Sequence, residues 1–198
     1  MAQKLILPVN KAVVTASIKT EAYKKDWNFV HYGLDMVSAA GNTTVYACGN
    51  GEVIKTGLDS MVGNTVVVKY HDAYNHKTGK SADLIVRIFH MASIAVKDGQ
   101  KVNKDTVLGR YGSTGKYTSG AHLHMEVDTD TKHPFGTPSV GAGKTNIYYG
   151  TGYQANDKTM SNPTEWLHCK ASAPDNQTWA TRNNSYIRDE DKSIPMIL

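Results

Sequence analysis

Apolar and polar residues alternate along several short segments of this chain, and glycine-containing turns separate the segments. Alternation with a period of two is typical of β-strands that bury one face. We therefore predict strands over residues 13–18, 44–48, 52–55, 65–70, 84–90, 107–111 and 121–127. Strands this short and this closely spaced favour antiparallel pairing. The expected fold is mainly β, with an antiparallel, sandwich-like sheet arrangement.

The segment 84–90 carries the strongest pattern. Its even-numbered residues share one face, so His90 is expected to end the strand on a face that is otherwise apolar. The polar stretch 70–82 is predicted to be a loop, and residues 112–120 are predicted to form a flexible Gly/Ser/Thr loop. Residues 128–160 show no clear periodicity, which is typical either of a long loop that shapes a groove or of disorder.

The C-terminal part of the chain predicts one further element. Asn162 suits the N-cap of a helix and Pro163 suits its first position, so a short helix is expected to begin here. Trp166 and Leu167 are expected to dock that helix on the domain. With 198 residues, of which 40% are hydrophobic, the chain suits one domain over 1–170 and a polar extension of unknown role over 171–198.

The composition weighs against several classes of protein. Cys48 and Cys169 are far apart and lack paired spacing, so we expect two thiols and no disulfide framework. No apolar run suits a secretory signal or a membrane span, and action outside a membrane would then need lysis, a virion or a processed precursor. The net charge of +4 comes without a dense basic cluster. We expect it to serve solubility, with no nucleic-acid partner, although attraction to a polyanionic cell wall is an alternative.

Two short motifs carry the candidate chemistry. His122 and His124 are two residues apart, and His31 and Asp35 are four apart, so each pair would share one face of an extended segment. Two imidazoles and a carboxylate are a common ligand set for a catalytic zinc ion that keeps one position open for water. His31, Asp35 and one member of the 122/124 pair can form this set. The other member, together with His90, is then available for proton transfer or oxyanion stabilisation.

Each motif alone is weak evidence for a metal site. A single histidine on an apolar strand is more often a hydrogen-bonded core residue, and the other four histidines are expected to be structural or on the surface; these are His71, His76, His133 and His168. A helical His-Glu-x-x-His zinc motif, a phosphate-binding Walker loop and a Gly-x-Ser-x-Gly nucleophile motif are all absent from the sequence.

Taken in order, several separated motifs resemble the M23 family of metallopeptidases, the lysostaphin/LytM type. The first motif lies at 31–35 with 44–47 and 51–53. The middle of the family pattern is matched at 63–68 and 99–102, and the last motif at 112–115 and 120–126. The resemblance covers about residues 28–128, and it is specific because the motifs occur in the family's order.

The resemblance implies a β-sheet peptidase domain with a substrate groove and long loops. It implies a zinc ion on His31, Asp35 and His124, with His90 and His122 assisting catalysis. The implied reaction is hydrolysis of a peptide bond in the stem or cross-bridge of bacterial peptidoglycan, by an enzyme that acts on the cell wall. The lack of a signal segment in this sequence is similar to phage-encoded lysins and tail-associated wall hydrolases.

The sequence also departs from the family pattern. The middle motif is often Tyr-x-His, whereas this chain has Ile88-Phe89-His90, and the regions 70–82 and after Asp128 look enlarged. Two other functions therefore remain open. One is a non-enzymatic wall-binding or virion structural module that keeps the fold, and the other is a structural zinc site in a protein of unrelated function.

Overall fold

The structure, a computed structural model, describes residues 2–140 and 157–168, and these residues form a mainly β fold. One helix, α1, spans Glu21–Trp27, and a 3-10 turn, η1, spans Pro163–Glu165. The strands are β1 Ala12–Ala16, β2 Leu34–Ser38, β3 Thr44–Tyr46, β4 Gly51–Asp59, β5 Gly63–Asn75, β6 Lys80–Ile94, β7 Lys101–Val102, β8 Val107–Tyr111, β9 Leu123–Asp128 and β10 Met160–Ser161. None of the described helices is long and apolar enough to span a membrane.

Hydrogen bonds join all ten described strands into one sheet, and every named pairing is antiparallel. The main path runs β1-β2-β9-β6-β5-β4-β7. Strand β8 pairs with both β6 and β3, and β10 extends the sheet beside β9. The predicted mainly β, antiparallel architecture is confirmed. All seven predicted strands fall on observed ones, most with shifts at their ends; these are β1, β3, β4, β5, β6, β8 and β9.

Strand β9 lies at the centre of the arrangement, between β2 and β6, and its register sorts residues onto two faces. Asp35 of β2 and Phe89 of β6 both pair with His124, and Arg87 pairs with Glu126. These residues share one face of the sheet. The residues between them point to the opposite face and build the main hydrophobic core, which includes Leu34, Met36, Val66, Val68, Leu84, Val86, Ile88, Leu123, Met125 and Val127.

The N-terminal segment completes this core, although its sequence shows little periodicity. Leu5, Leu7 and Val9 are buried, and Leu5 forms an isolated parallel bridge with Leu167. Trp166 and Leu167 are buried as predicted, and Asn162 caps η1 by accepting a hydrogen bond from the Thr164 N–H. The start of a helical turn at Pro163 is therefore confirmed, but the turn is only one 3-10 unit long.

The predicted loop over 70–82 is wrong. Strands β5 and β6 continue through it as a hairpin, in which Tyr74 pairs with Ser81 and Asn75 pairs with Lys80. The tip is closed by the Asn75 side chain, whose oxygen accepts hydrogen bonds from the backbone N–H groups of Lys77 and Thr78. The segment is polar because much of this hairpin lies in solvent, where strand pairing needs no apolar face.

The predicted orientation of His90 is also wrong. Strict alternation would put its side chain on the core face with Ile88, but the register of β6 against β5 slips between Ile88 and Met91, and a second slip, against β8, follows between Met91 and Ser93. His90 adopts a left-handed backbone conformation with φ 61°. A bulge of this kind changes the direction of a side chain at a strand end. The ring of His90 instead lies 6.0 Å from that of His124, on the opposite face of the sheet from the main core.

Other expectations fall only partly within the described residues. Cys48 is a buried thiol outside any disulfide in the part of the chain that the structure describes. Residues 129–140 contain no regular element. Cys169, residues 141–156 of the aperiodic stretch and the extension 171–198 lie outside the described residues.

The division between the two faces predicts a clear difference between two leucines in strands. Leu84 is fully buried in the core, whereas Leu58 is 56% exposed on β4. Leu84→Ala is expected to lower the free energy of unfolding by about 2–5 kcal/mol because it leaves a cavity. Leu58→Ala is the matched control, with an expected change within about 0.5 kcal/mol. Denaturant titration measures both, and equal losses would contradict this assignment of the core.

Candidate metal centre

Three buried side chains converge on the face of the sheet where β2 and β9 pair. His31 Nε2 lies 3.1 Å from His124 Nδ1 and 3.1 Å from Asp35 Oδ1, and His124 Nδ1 lies 2.8 Å from the same carboxylate oxygen. Within the described residues, this is the one group of three or more His, Cys, Asp or Glu side chains whose ligand atoms are close enough to share a metal ion.

The backbone brings these side chains together by two routes. Asp35 and His124 are cross-strand partners in β2 and β9, so the sheet register fixes their contact. His31 lies before β2 and not within a strand. Strand alternation therefore explains the direction of the Asp35 side chain but not that of His31. Helix α1 ends at Asn28 in a left-handed conformation, and the chain then returns past residues 17–19, where the Lys19 N–H donates to the His31 carbonyl. Tyr23 of α1 stacks on the His31 ring with centroids 4.3 Å apart.

Hydrogen bonds to backbone carbonyls assign the tautomers of three histidines. Nδ1 lies 2.8 Å from the Ser17 carbonyl in His31, 2.9 Å from the Thr114 carbonyl in His90, and 2.8 Å from the Gly120 carbonyl in His122. A carbonyl oxygen can only accept, so Nδ1 carries the proton in each ring and Nε2 keeps a lone pair. In His31 this lone pair points at Asp35 and His124.

The donor set fits a zinc ion. Two imidazole nitrogens and a carboxylate oxygen are separated by 2.8–3.1 Å. In a tetrahedral site with bonds of about 2.0–2.2 Å, ligand atoms are roughly 3.3–3.6 Å apart, so small movements would accommodate the ion. The outer nitrogen of His31 is already held by a carbonyl, as is usual for histidines that bind metals. His31, Asp35 and His124 are therefore the residues that would hold zinc.

Packing fixes the plane of the His124 ring. On one side it stacks on Phe89, with centroids 5.1 Å apart and planes within 6°. Close to it lies Gly33, where an added Cβ would collide with His124 Nε2 and would come within 2.6 Å of its Cε1 and 2.8 Å of the Met125 carbonyl oxygen. Gly33 is thus required in the 31–35 motif because the His124 ring lies so close to it. Phe89, the residue before His90, packs against the same ring.

The electrostatics of the site favour a cation at the meeting point of the three ligands. Burial would raise the pKa of Asp35, but hydrogen bonds and charge from His124 and His31 outweigh it and hold that pKa well below its usual range. Burial would lower the pKa of His124, yet the carboxylates of Asp35 and Glu126 outweigh it and raise the value to about 9. Burial and the Asp35 charge raise the pKa of Tyr23 to about 12, so its hydroxyl stays protonated.

His90 and His122 lie beside the three converging side chains. Their rings are 4.9 Å apart, and His122 Nε2 lies 3.6 Å from Asp35 Oδ1. Burial, followed by the neighbouring charge of His124, lowers the pKa of His90 to about 4, so His90 is unprotonated at neutral pH. Both rings have the Nε2 lone pair that a proton acceptor needs.

The loop that was predicted to be flexible is tightly packed in its first half. Gly115, with φ 89°, lies against the turn that joins β4 and β5, where an added Cβ would come within 2.7 Å of the Val62 carbonyl carbon. Thr114 donates to the Met91 carbonyl and accepts from the Asn64 N–H, and the His90 N–H donates to the Val62 carbonyl. These contacts hold the bulge that turns His90 toward the site.

All five residues that the sequence singled out are brought together; they are His31, Asp35, His90, His122 and His124. The other four histidines lie elsewhere. His71 and His133 are exposed beside Asp83 and Asp130, and His76 and His168 contact backbone carbonyls near η1.

Sequence reasoning missed the ring packing of Phe89 and Tyr23 and the buried charges next to His124. One signal for the latter was available, since Glu126 continues the even spacing of His122 and His124 along β9.

Comparison with known proteins finds a matching family and several relatives. Residues 29–135, more than half of the chain, match the sequence model of peptidase family M23. The peptidoglycan DD-endopeptidase ShyA of Vibrio cholerae is 36% identical over 97 residues, which are 49% of this chain and 20% of that protein. ShyC, a second peptidoglycan DD-endopeptidase of that organism, is 32% identical over 96 residues, which are 48% of this chain and 19% of that protein. The matched part of this chain thus spans about a fifth of these relatives.

Two solved structures have a similar fold. A zinc-containing peptidase from Vibrio cholerae superposes with a TM-score of 0.50 and 25% identity, covering 64% of this chain and 37% of that one. The antimicrobial peptidase lysostaphin from Staphylococcus simulans gives a TM-score of 0.53 with 18% identity, covering 78% of this chain and 48% of that one, which shows the shared fold.

The contact between Gly33 and His124 generates a test of the site geometry. Gly33→Ala places a methyl group against the imidazole and against backbone, so the ring must shift. Zinc affinity, measured by competition with a chromophoric chelator, is expected to fall by about 10–100-fold. Gly41→Ala is a control for glycine replacement, because its Cβ would meet nothing within 4 Å although its φ is 74°. An unchanged zinc affinity in Gly33→Ala would contradict the ring placement.

Proposed function

Because this chain belongs to peptidase family M23, we propose that it is a zinc-dependent endopeptidase that hydrolyses peptide bonds in the stem or cross-bridge of bacterial peptidoglycan. The observation that carries the proposal is the convergence of His31, Asp35 and His124 within 2.8–3.1 Å of one another, with two further histidines alongside. The names of the two Vibrio cholerae relatives make the DD-endopeptidase reaction the first one to test. The proposed place of action is the cell wall.

The proposed roles follow from the atoms that face the site. His31 Nε2, Asp35 Oδ1 and His124 Nδ1 are the proposed zinc ligands. When bound, zinc supplies a Lewis acid that acidifies water and polarises a carbonyl group. His90 and His122 offer Nε2 lone pairs, because their protons are committed to the Thr114 and Gly120 carbonyls. Either ring can take a proton from water and then donate to the developing oxyanion or to the leaving amine.

We further propose that one folded unit spans residues 1–170 and carries this activity, followed by an extension over 171–198. The bridge between Leu5 and Leu167 supports the unit, since it ties the N-terminal segment to the last described turn. The ring contacts among Tyr23, Phe29 and Tyr117 extend from the proposed zinc ligand His31 to the surface. This aromatic surface is a candidate wall of the substrate groove.

Two histidine variants separate metal binding from catalysis. His124→Ala is expected to abolish zinc binding and hydrolysis together, because it removes a ligand. His122→Ala is expected to retain zinc and to lower kcat by about 10²–10⁴-fold, because it removes a proton-transfer group. His71→Ala, which changes an exposed histidine beside Asp83, serves as the control and should behave as the wild type.

The measurements are zinc content and the release of new amino termini from purified peptidoglycan, with mass spectrometry of the peptides. Wall binding without release of amino termini by the wild type would instead support a non-enzymatic wall-binding module. Wild-type rates in both site variants would refute the assignment of these histidines.

Chelation distinguishes a catalytic from a structural zinc. The main core lies on the opposite face of the sheet from His124, so metal removal is expected to abolish hydrolysis while the domain stays folded. Far-UV circular dichroism during thermal melting, with and without chelator, measures this. Loss of the folded signal at room temperature on chelation would favour a structural site.

A further inference from the structure

His124 differs from the other three histidines of the site in the contacts of its outer nitrogen, the ring nitrogen that points away from the other site residues. The outer nitrogens of His31, His90 and His122 each face a backbone carbonyl. The His124 ring is turned the other way, with Nδ1 inward and Nε2 outward. That Nε2 is fully buried and has no hydrogen-bond partner among the described residues. It lies 3.7 Å from Oε1 of Glu126, two residues further along β9.

Among the described residues, hydrogen-bond donors hold Glu126 in place. Its carboxylate accepts hydrogen bonds from the Thr137 hydroxyl at 2.7 and 2.9 Å, from the Ser139 hydroxyl, and from Arg87 Nη1 at 3.3 Å. A carboxyl group whose contacts are all donors is held as the ionised acceptor.

Arg87 anchors this arrangement from the neighbouring strand. It is paired with Glu126 across β6 and β9, and its Nη2 donates to Asp128 Oδ2 at 2.8 Å. Its Nε donates to the Pro134 carbonyl at 3.1 Å. Arg87 and Glu126 are both completely excluded from solvent. One guanidinium thus faces two carboxylates, which leaves one negative charge in excess beside the His124 ring.

Buried ionic groups of this kind rarely contribute net stability, since the cost of removing charges from water is comparable to their attraction. A role other than stability is therefore the better explanation for a charged network in contact with a proposed ligand. A carboxylate beside the outer nitrogen of a histidine ligand is a recurrent arrangement: it keeps the proton on that nitrogen, orients the ring and makes the inner nitrogen a better donor.

We propose that Glu126, anchored by Arg87, is a positioning residue that keeps the His124 proton on Nε2 when zinc is bound and so leaves the Nδ1 lone pair for the metal. The inference rests on the proposed zinc site and extends it to residues that do not touch the ion. Phe89 and Gly33 fix the plane of the ring, whereas Glu126 fixes its tautomer. The ring therefore needs both constraints to act as a zinc ligand through Nδ1.

The chain offers a matched pair of variants to test this role. Glu126→Gln and Asp128→Asn each remove one of the two carboxylates that face Arg87, so each leaves one guanidinium opposite one carboxylate. The changes differ in one respect, since Glu126 is the carboxylate beside His124 Nε2. The readouts are zinc affinity of the metal-free proteins by chelator competition, melting temperature without metal, and the ¹⁵N chemical shifts of the His124 ring in the zinc-loaded protein.

Glu126→Gln is expected to weaken zinc binding by about 10–100-fold, while Asp128→Asn stays within about threefold of the wild type. The ring of His124 should keep its proton on Nε2 in Asp128→Asn, and this signal should shift or broaden in Glu126→Gln. Equal losses of zinc affinity in the two variants, or an unchanged affinity in Glu126→Gln, would overturn the proposal. A wild-type protein that binds no zinc would refute the proposed function itself, and with it this extension.

A third variant covers the case in which Glu126→Gln does not fold. Arg87→Met, Glu126→Leu and Asp128→Asn together replace the ion network by neutral side chains of similar size, a change that folded proteins often tolerate. This variant is expected to fold and to show the same 10–100-fold loss of zinc affinity. Wild-type affinity in the triple variant would overturn the proposal, because the ligand would then be oriented without any carboxylate.

Discussion

The pairing of β9 with β2 on one side and β6 on the other is the constraint on which the rest of the structure depends. This register places Asp35, His124 and Phe89 in one row across three strands. A slip of one residue would turn His124 into the core and would bring Leu123 or Met125 to the site. The hydrophobic core therefore fixes the position of Asp35 and His124, two of the proposed metal ligands, because the alternation that buries Leu123 and Met125 places His124 on the other face.

Where the regular sheet would point a side chain the wrong way, local departures redirect it. The bulge at His90 turns its ring from the core face to the site, and the contacts of Thr114 and Asn64 stabilise that bulge. Gly33 allows the chain before β2 to approach the His124 ring, so that His31 can reach the site from outside the strand. These exceptions to strand geometry are concentrated at the candidate centre, as expected where function rather than packing sets the geometry.

The site face of the sheet combines two kinds of polar group. The first set lies around Asp35 and faces the proposed metal position. It contains the proposed zinc ligands His31 and His124 and the proposed proton-transfer residues His90 and His122. The second set, Glu126 with Arg87 and Asp128, lies along the same face behind the His124 ring and is sealed from solvent. The two nitrogens of the His124 ring therefore lie in different environments, since Nδ1 lies beside Asp35 and His31 whereas buried Nε2 lies beside Glu126. A ligand that binds through one defined nitrogen requires such a difference.

Much of the fold and of the site could be predicted from local sequence. Period-two patterning identified β6 and six other strands, because a strand with one buried face alternates apolar and polar residues. The polar hairpin over 70–82 was not predicted, since strands exposed to solvent on both faces need no alternation of apolar and polar residues. Helix α1 was not predicted either, because none of its residues is buried.

What the amino-acid sequence determined by itself was the identity and spacing of the candidate ligands, since residue type and separation along the chain are local properties. Only the tertiary structure decided which nitrogen of each histidine faces inward, that His90 leaves the core face, and that Arg87 meets Glu126 behind His124. Those outcomes depend on strand register and on a bulge, which join residues far apart in the chain. No local pattern can specify such contacts, because each is set by the packing of the whole sheet.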